Sequence, residues 1–221
     1  MYFDKYKYVV IIPSYNEIKT LPKIIEKILK KNIQVIVIDD NSIDNSIKVI
    51  KNFDVIFLRN KERLGYEKSL NRGFRLAKKK KFKYLATFDA DGQQNTKDLD
   101  RIFRKLIIDN NFLVIGERDK KQRIFEYLFS IYTNMFFNIK DPLSGLKAIN
   151  LEKISSNLNN IPFNNSGTYI LLQCIMNNLK LNTIKIKINK RMGKSKYGNF
   201  LSSNYKIFNS LIYFIYKHLK I

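Results

Sequence analysis

Several residue types are scarce in this chain of 221 residues: one Cys, one His and no Trp, with 19 Asp and Glu against 41 Lys and Arg. The single Cys174 excludes an intramolecular disulfide, and the lack of any Cys/His cluster leaves no zinc site to read. Cys174 falls in the apolar pattern Ile170, Leu171, Leu172, Cys174, Ile175, the setting of a packed thiol rather than a nucleophile. His218, in the terminal helical segment, offers no partner for a Ser-His or Cys-His pair. No apolar run reaches the ~20 residues that span a bilayer. Nor is a signal peptide visible, because Lys5 and Lys7 precede only a short apolar run and then Pro13. The expected location is cytoplasmic, or peripheral on the cytosolic face of a membrane.

Scarcity of acids leaves a net charge of +22, which means affinity for anions: nucleic acid, anionic lipid or phosphorylated ligands. The basic residues are scattered and match no recognised binding motif, so a basic nucleic-acid-binding protein is the lesser alternative and no nucleic-acid partner is expected. Two nucleotide motifs are also missing. Gly193-Lys194-Ser195 has Ile188 where a phosphate loop needs glycine, and no G-x-G-x-x-G follows the first strand.

What is present is a chain with 45% hydrophobic and 13% aromatic residues, enough for one sizeable core. Tyr8 to Ile12 reads as a buried strand ended by Pro13-Ser14-Tyr15-Asn16-Glu17, and a helix follows with Leu21, Ile24, Ile25, Ile28 and Leu29 inward. Gln34–Ile38 is a second strand, ending at Asp39-Asp40-Asn41-Ser42. A third step runs through Ile47 and Ile50 to a strand at 54–58, and a helix carries Leu70, Phe74 and Leu76. Lys83–Phe88 is a further strand, leading into Asp89-Ala90-Asp91-Gly92-Gln93 and a helix through Leu99, Ile102, Phe103 and Leu106. Strands are also expected at Phe112–Ile115, Leu146–Ile149 and Thr183–Ile188, with a helix over 167–179.

Alternating helices and continuously apolar strands predict an α/β fold, a mostly parallel central sheet with helices on both faces. Right-handed crossovers then bring Glu17, Asp39-Asp40 and Asp89–Asp91 to one sheet edge, where such folds bind ligands. Two carboxylates one residue apart in a turn can face one hard cation such as Mg²⁺ or Mn²⁺.

Residues 124–137 are apolar almost all round, so that segment is buried or lies against something oily. The last segment puts Leu201, Tyr205, Phe208, Ile212, Ile215 and Leu219 on one helical face, widened by Ile207, Leu211, Tyr213 and Phe214. It packs on the core, pairs with another subunit, or lies in a membrane interface flanked by Lys206, Lys217 and Lys220. The apolar excess of 124–137 favours the interface.

In order, Pro13–Glu17, Asp39–Ser42, Asp89–Gln93, Asp141-Pro-Leu-Ser-Gly145 and Arg191-Met-Gly-Lys-Ser-Lys-Tyr-Gly198 resemble glycosyltransferase family 2 with the GT-A fold. Within that family the motifs look most like those of the dolichyl- and polyprenyl-phosphate sugar transferases. The resemblance covers roughly residues 8–198. It implies a GT-A domain over 1–199, followed by the amphipathic helix 200–221. Also implied are a nucleotide-diphosphate sugar donor (GDP- or UDP-linked), a polyprenyl or dolichyl phosphate acceptor and an anionic membrane surface. Pro13, Tyr15, Glu17, Ile38 and Asp40 would line the nucleoside pocket. Asp89 and Asp91, helped by Gln93 and with Ala90 alongside, would hold Mg²⁺ or Mn²⁺ on the diphosphate, making Asp91 a catalytic residue. Arg118 and Arg191 match positions that meet the diphosphate or the acceptor phosphate. Should the acceptor be a hydroxyl, as in transferases extending a surface glycan, Asp141 is the carboxylate expected to serve as base. A phosphate acceptor is already anionic and needs none.

Overall fold

The computed structural model describes residues 3–120, 123–153, 166–190 and 200–220. Among the described residues seven strands and seven α-helices alternate: β1 Tyr8–Ser14, α1 Leu21–Leu29, β2 Gln34–Asp39, α2 Ser46–Ile50, β3 Ile56–Arg59, α3 Tyr66–Lys79, β4 Tyr84–Thr87, α4 Lys97–Ile108, β5 Leu113–Arg118, α5 Ile124–Phe137, β6 Lys147–Asn150, α6 Ser166–Met176, β7 Leu181–Ile186 and α7 Phe200–His218. They form one sheet in the order β3-β2-β1-β4-β6-β5-β7.

Strands β1 to β4 run parallel, and β7 runs parallel to β5. Only β6 is reversed, pairing antiparallel with both β4 and β5. The reversal has a direct consequence. Lys147, the first residue of β6, lies opposite Thr87 at the end of β4, so the 141–145 loop enters on the edge where β4 ends. Had β6 been parallel, that loop would open on the far side of the sheet. Nothing in Leu146–Ile149 announces strand direction.

Alternation along the strands divides the interior into two cores. Val10, Ile12, Val35 and Val37 face α1, α2 and α4, where Leu99, Ile102, Phe103 and Leu106 are fully buried. Each such side chain contributes about 1.5–3 kcal/mol relative to exposure. Val9, Ile11, Ile36 and Ile38 face α3, α5, α6 and α7. There α3 lies so close to β1 that a Cβ on Gly73 would come 2.5 Å from Ile11 Cγ2. Cys174 is buried in this second core, its thiol pushed up to about 12 by burial, which is the packed role expected of it.

The terminal segment is α7, and its apolar residues split. Ile207, Leu211 and Phe214 enter the second core, while Tyr205, Phe208, Ile212, Tyr216 and Leu219 point outward. Phe214 meets Phe129 of α5 with ring centroids 5.2 Å apart, and Phe125 meets Phe208 at the same distance. The side chain of Leu201 lies outside the described residues.

Candidate active site

Loops after β1, β2 and β4 meet at one edge, as the strand order requires. Asn16 fastens the first loop to the second: its Oδ1 accepts from Ile43 N (2.8 Å), and its own N–H donates to Ser42 Oγ (2.9 Å). Thr20 fastens the first loop to the third, donating to the Ala90 carbonyl at 2.5 Å and lying 3.5 Å from Glu17 Oε2. Tyr15 carries the Arg63 guanidinium over its ring at 4.3 Å. Pro13 and Ile38 are register partners on β1 and β2, both buried. Of the residues expected around a nucleoside, Pro13, Tyr15, Glu17 and Ile38 therefore gather at this edge.

Asp40 sits there too, but its carboxylate is turned to its own chain. Oδ1 accepts from Asn60 Nδ2 (2.7 Å), Leu64 N (2.8 Å) and Ser69 Oγ (3.2 Å), and Oδ2 from Gly65 N (2.8 Å). It organises the loop leading into α3. Its neighbour Asp39 differs. Among the described residues, Asp39 Oδ1 and the Oγ of Ser14, its register partner, are buried with no hydrogen-bond partner.

Asp89 is braced from several sides. Tyr66 donates its hydroxyl to Oδ1 (3.0 Å), and Gln94 donates Nε2 to Oδ2 (2.7 Å) while accepting from the Asp89 N–H (3.0 Å). Asp91 accepts the Gln93 N–H at 3.0 Å. Gln93 thus enters through its backbone, which also accepts from Asn189 N. The side chain clamping Asp89 is that of Gln94, which the sequence did not single out. Burial, then the charge of Asp91, pushes Asp89 up to about 6.

The carboxylates of Asp89 and Asp91, close enough for one charge to oppose the other, suit a divalent cation. Hard cations commonly take one or two protein carboxylates and complete their shell with substrate phosphates and water. No cluster of three or more metal-ligating His, Cys, Asp or Glu occurs among the described residues, so the diphosphate and water would have to supply the remaining donors.

On the other side of Asp89, Asp141 and Arg118 form a closed pair. Arg118 Nε donates to Oδ2 (2.7 Å) and Nη2 to Oδ1 (2.9 Å), and the Arg118 backbone N–H adds a bond to Oδ2 (3.0 Å). Asp141 is 1% exposed. Glu126 of α5 bridges Arg118 (3.3 Å) and Arg123 (2.9 Å). Burial opposes the charge of Arg118, but these carboxylates outweigh it and hold the guanidinium firmly protonated. Arg191 and the rest of the 191–198 motif lie outside the described residues.

Lys147 is the charged residue that sequence reasoning passed over. It is 6% exposed at the head of β6 and donates Nζ to the Ser144 carbonyl. Burial draws its ammonium down to about 8 against the pull of Asp141 and Glu67. Its only signal in the sequence is a lysine inside the apolar run Leu146–Ile149.

Residues 9–167 match Glycosyl transferase family 2. An uncharacterised protein of Methanocaldococcus jannaschii is 27% identical over 219 residues, which span 92% of this chain and 90% of that one. The UDP-N-acetylglucosamine–dolichyl-phosphate N-acetylglucosaminyltransferase of Methanococcus voltae is 28% identical over 141 residues, 56% of each chain. Among solved structures, mannosyl-3-phosphoglycerate synthase from Rubrobacter xylanophilus superposes with a TM-score of 0.76 at 16% identity, covering 97% of this chain and 76% of that one. Glucosyl-3-phosphoglycerate synthase from Mycobacterium tuberculosis, crystallised with Mn²⁺, UDP and phosphoglyceric acid, gives 0.74 at 13% identity over 94% and 78%. Both share this chain's fold, so the sheet with its reversed strand is the GT-A arrangement. With the family match covering most of its length, the chain belongs to glycosyltransferase family 2 and is a glycosyltransferase.

Proposed function

We propose that this glycosyltransferase moves a sugar from a GDP- or UDP-linked donor to a polyprenyl or dolichyl phosphate, with a divalent metal, at the cytosolic face of a membrane. The observation that carries the acceptor class is the Arg118–Asp141 pair. A hydroxyl acceptor needs a base within reach of its proton. Asp141, the carboxylate expected for that work, has both oxygens occupied by Arg118 and almost no exposure. An acceptor that arrives as a phosphate brings its own anionic oxygen, with a second pKa of about 6. The Methanococcus voltae relative, which carries dolichyl phosphate in its name, supports the same class.

The residues divide the work along the edge. Tyr15 and Glu17 flank the nucleoside, and the unpartnered Asp39 Oδ1 and Ser14 Oγ are completed by polar groups brought by the donor. Asp89 and Asp91 hold the metal, with Tyr66 and Gln94 fixing Asp89. A bound divalent cation supplies neutralisation of the charge that builds on the leaving diphosphate. Arg118, oriented by Asp141 and Glu126, offers its guanidinium to a phosphate. Arg191 is assigned the same class of contact by its motif.

Attachment to lipid is supported by the outward apolar residues of α5 and α7. Ile131 (63% exposed), Met135 and Phe136 on α5 and Ile212 (50% exposed) and Tyr216 on α7 are exposed, on two helices that pack against each other. Glu126, beneath Arg118, belongs to the same helix α5, so the apolar surface and the phosphate contact share one rigid element. Among the described residues no helix is long and apolar enough to cross a membrane.

The test is a transfer assay with a panel of nucleotide sugars, offering polyprenyl phosphate or the unphosphorylated polyprenol, with Mn²⁺, Mg²⁺ or a chelator. Product on the phosphate alone, lost with chelator, is the expected result. Product on polyprenol or a free glycan hydroxyl would reject the acceptor class.

A further inference from the structure

A cavity of about 50 Å³ lies beneath the 142–145 loop, between that loop, α3 and α6. Its polar wall is Lys147, Glu67, Tyr66, Thr87, Ser144 and Thr168, and its floor is apolar. About 10–15 Å³ of such space holds one water molecule, so there is room for a few waters or for polar groups of similar size. One hydroxyl or hydroxymethyl arm of a sugar fits it.

Lys147 has three N–H donors and a single hydrogen-bond partner among the described residues, the Ser144 carbonyl. A cation buried to this degree with donors unfilled is expensive unless something completes it. An anion does not suit the space, because the ammonium is already faced by Asp141, Glu67 and Asp89, with Arg118 the other nearby cation. A metal ion is repelled by the ammonium itself. A sugar hydroxyl satisfies both sides, since it accepts from an ammonium and donates to a carboxylate. Position agrees with that chemistry: Tyr66 lines the cavity and bonds Asp89, the residue assigned to the diphosphate metal.

We infer that this cavity selects the transferred sugar, Lys147 donating to one hydroxyl arm and Glu67 accepting from it. The inference rests on the nucleotide-sugar reading and adds which residues discriminate among sugars. Sites that hydrogen-bond a substrate hydroxyl reject analogues lacking it far more strongly than apolar pockets do.

Titration calorimetry with Mn²⁺ separates the two claims. The probes are UDP, GDP, UDP-glucose, UDP-N-acetylglucosamine and GDP-mannose, and the proteins are wild type, Lys147→Met, Glu67→Gln and Thr168→Val. Wild type should favour one nucleotide sugar over the others and over its nucleoside diphosphate. Lys147→Met and Glu67→Gln should reduce that preference at least tenfold, with nucleoside diphosphate affinity within twofold of wild type. Thr168→Val should shift the preference less, since it removes one hydroxyl and no charge. Glu67→Gln keeps the test decisive if Lys147→Met loosens the loop, because position 67 is half-buried on α3. Equal losses for nucleoside diphosphate and nucleotide sugar in Glu67→Gln, or an unchanged preference in both charge variants, would overturn the inference. Failure of wild type to bind any of the five would instead reject the nucleotide-sugar reading, and the subsite with it.

Discussion

Gly145 stands directly against the carboxylate of Asp89: a Cβ at 145 would lie 2.7 Å from Asp89 Cγ. Asp89 cannot retreat easily, being held by Tyr66 and Gln94. Nor can the loop, since the Gly145 carbonyl accepts from Thr87 Oγ1 at 2.6 Å. Gly145→Ala is therefore expected to displace the carboxylate proposed to hold the metal, weakening Mn²⁺-dependent donor binding at least tenfold. Overpacking of this kind costs about 1–3 kcal/mol, so urea unfolding should show a folded but weakened protein. Calorimetry with unchanged donor affinity would show that Asp89 yields without consequence.

Metal affinity should depend on pH in a particular direction. Asp89 is raised to about 6, by burial first and by Asp91 second. A proton on Asp89 must leave before a cation can take its place. Below about pH 6, apparent Mn²⁺ affinity should fall tenfold per pH unit, with one proton released per ion bound. Above it, this group adds no further dependence. For the metal-free protein the linkage has the opposite sense. A folded value above the unfolded ~3.9 means that protonation favours the fold. That stability is fully present below about pH 4 and is lost as pH rises through about 6. Asp89→Asn should abolish both effects, and a Mn²⁺ affinity flat from pH 5 to 7 by calorimetry in wild type would contradict them.

Asp141→Asn separates the two acceptor chemistries. Breaking one side of a buried ion pair costs ~3–5 kcal/mol, and because Glu126 still neutralises Arg118 the loss should sit near the lower end. If Asp141 only orients Arg118, the variant's kcat should fall while its pH profile keeps the wild-type shape. Disappearance of an acidic ionisation from the profile would identify Asp141 as a proton acceptor and favour a hydroxyl substrate.

Much of this arrangement was legible because parallel strands buried on both faces write themselves as continuous apolar runs. Those at β1, β2 and β4 ended where their acids began. Less legible was anything decided across the chain. The direction of β6 is set by pairing with β4 and β5, so the sequence could name Asp141–Gly145 without showing that the loop closes over Asp89. The Arg118–Asp141 bond spans 23 positions and consumes two residues that sequence reading had given separate tasks. Gln94 rather than Gln93 reaches Asp89 because Gly92, with φ of 79°, turns the chain back on itself. In α7 the helical period was correct but ambiguous, since both faces are apolar and only tertiary packing selects Ile207, Leu211 and Phe214 as the inner one.

The outer faces of α5 and α7 lead to the last prediction. These helices pack against each other through Phe125–Phe208 and Phe129–Phe214, so their exposed residues move as one surface. Lys206, exposed on α7, and Lys220, just past its end and 4.3 Å over the Tyr216 ring, can meet anionic headgroups. Basic residues near such a surface contribute on the order of 1 kcal/mol each, enough to supplement shallow apolar insertion but not to replace it. Co-sedimentation should therefore require anionic vesicles, weaken at high salt, and fall sharply in the Ile131→Glu, Ile212→Glu double variant. Both positions are at least half exposed, so stability should change by no more than roughly 0.5 kcal/mol per substitution. Loss of sedimentation with an unchanged urea midpoint would assign the patch to lipid. If wild type stays in the supernatant with anionic vesicles at low salt, lipid is not what covers this surface. If the double variant sediments as well as wild type, the charges act without the apolar face.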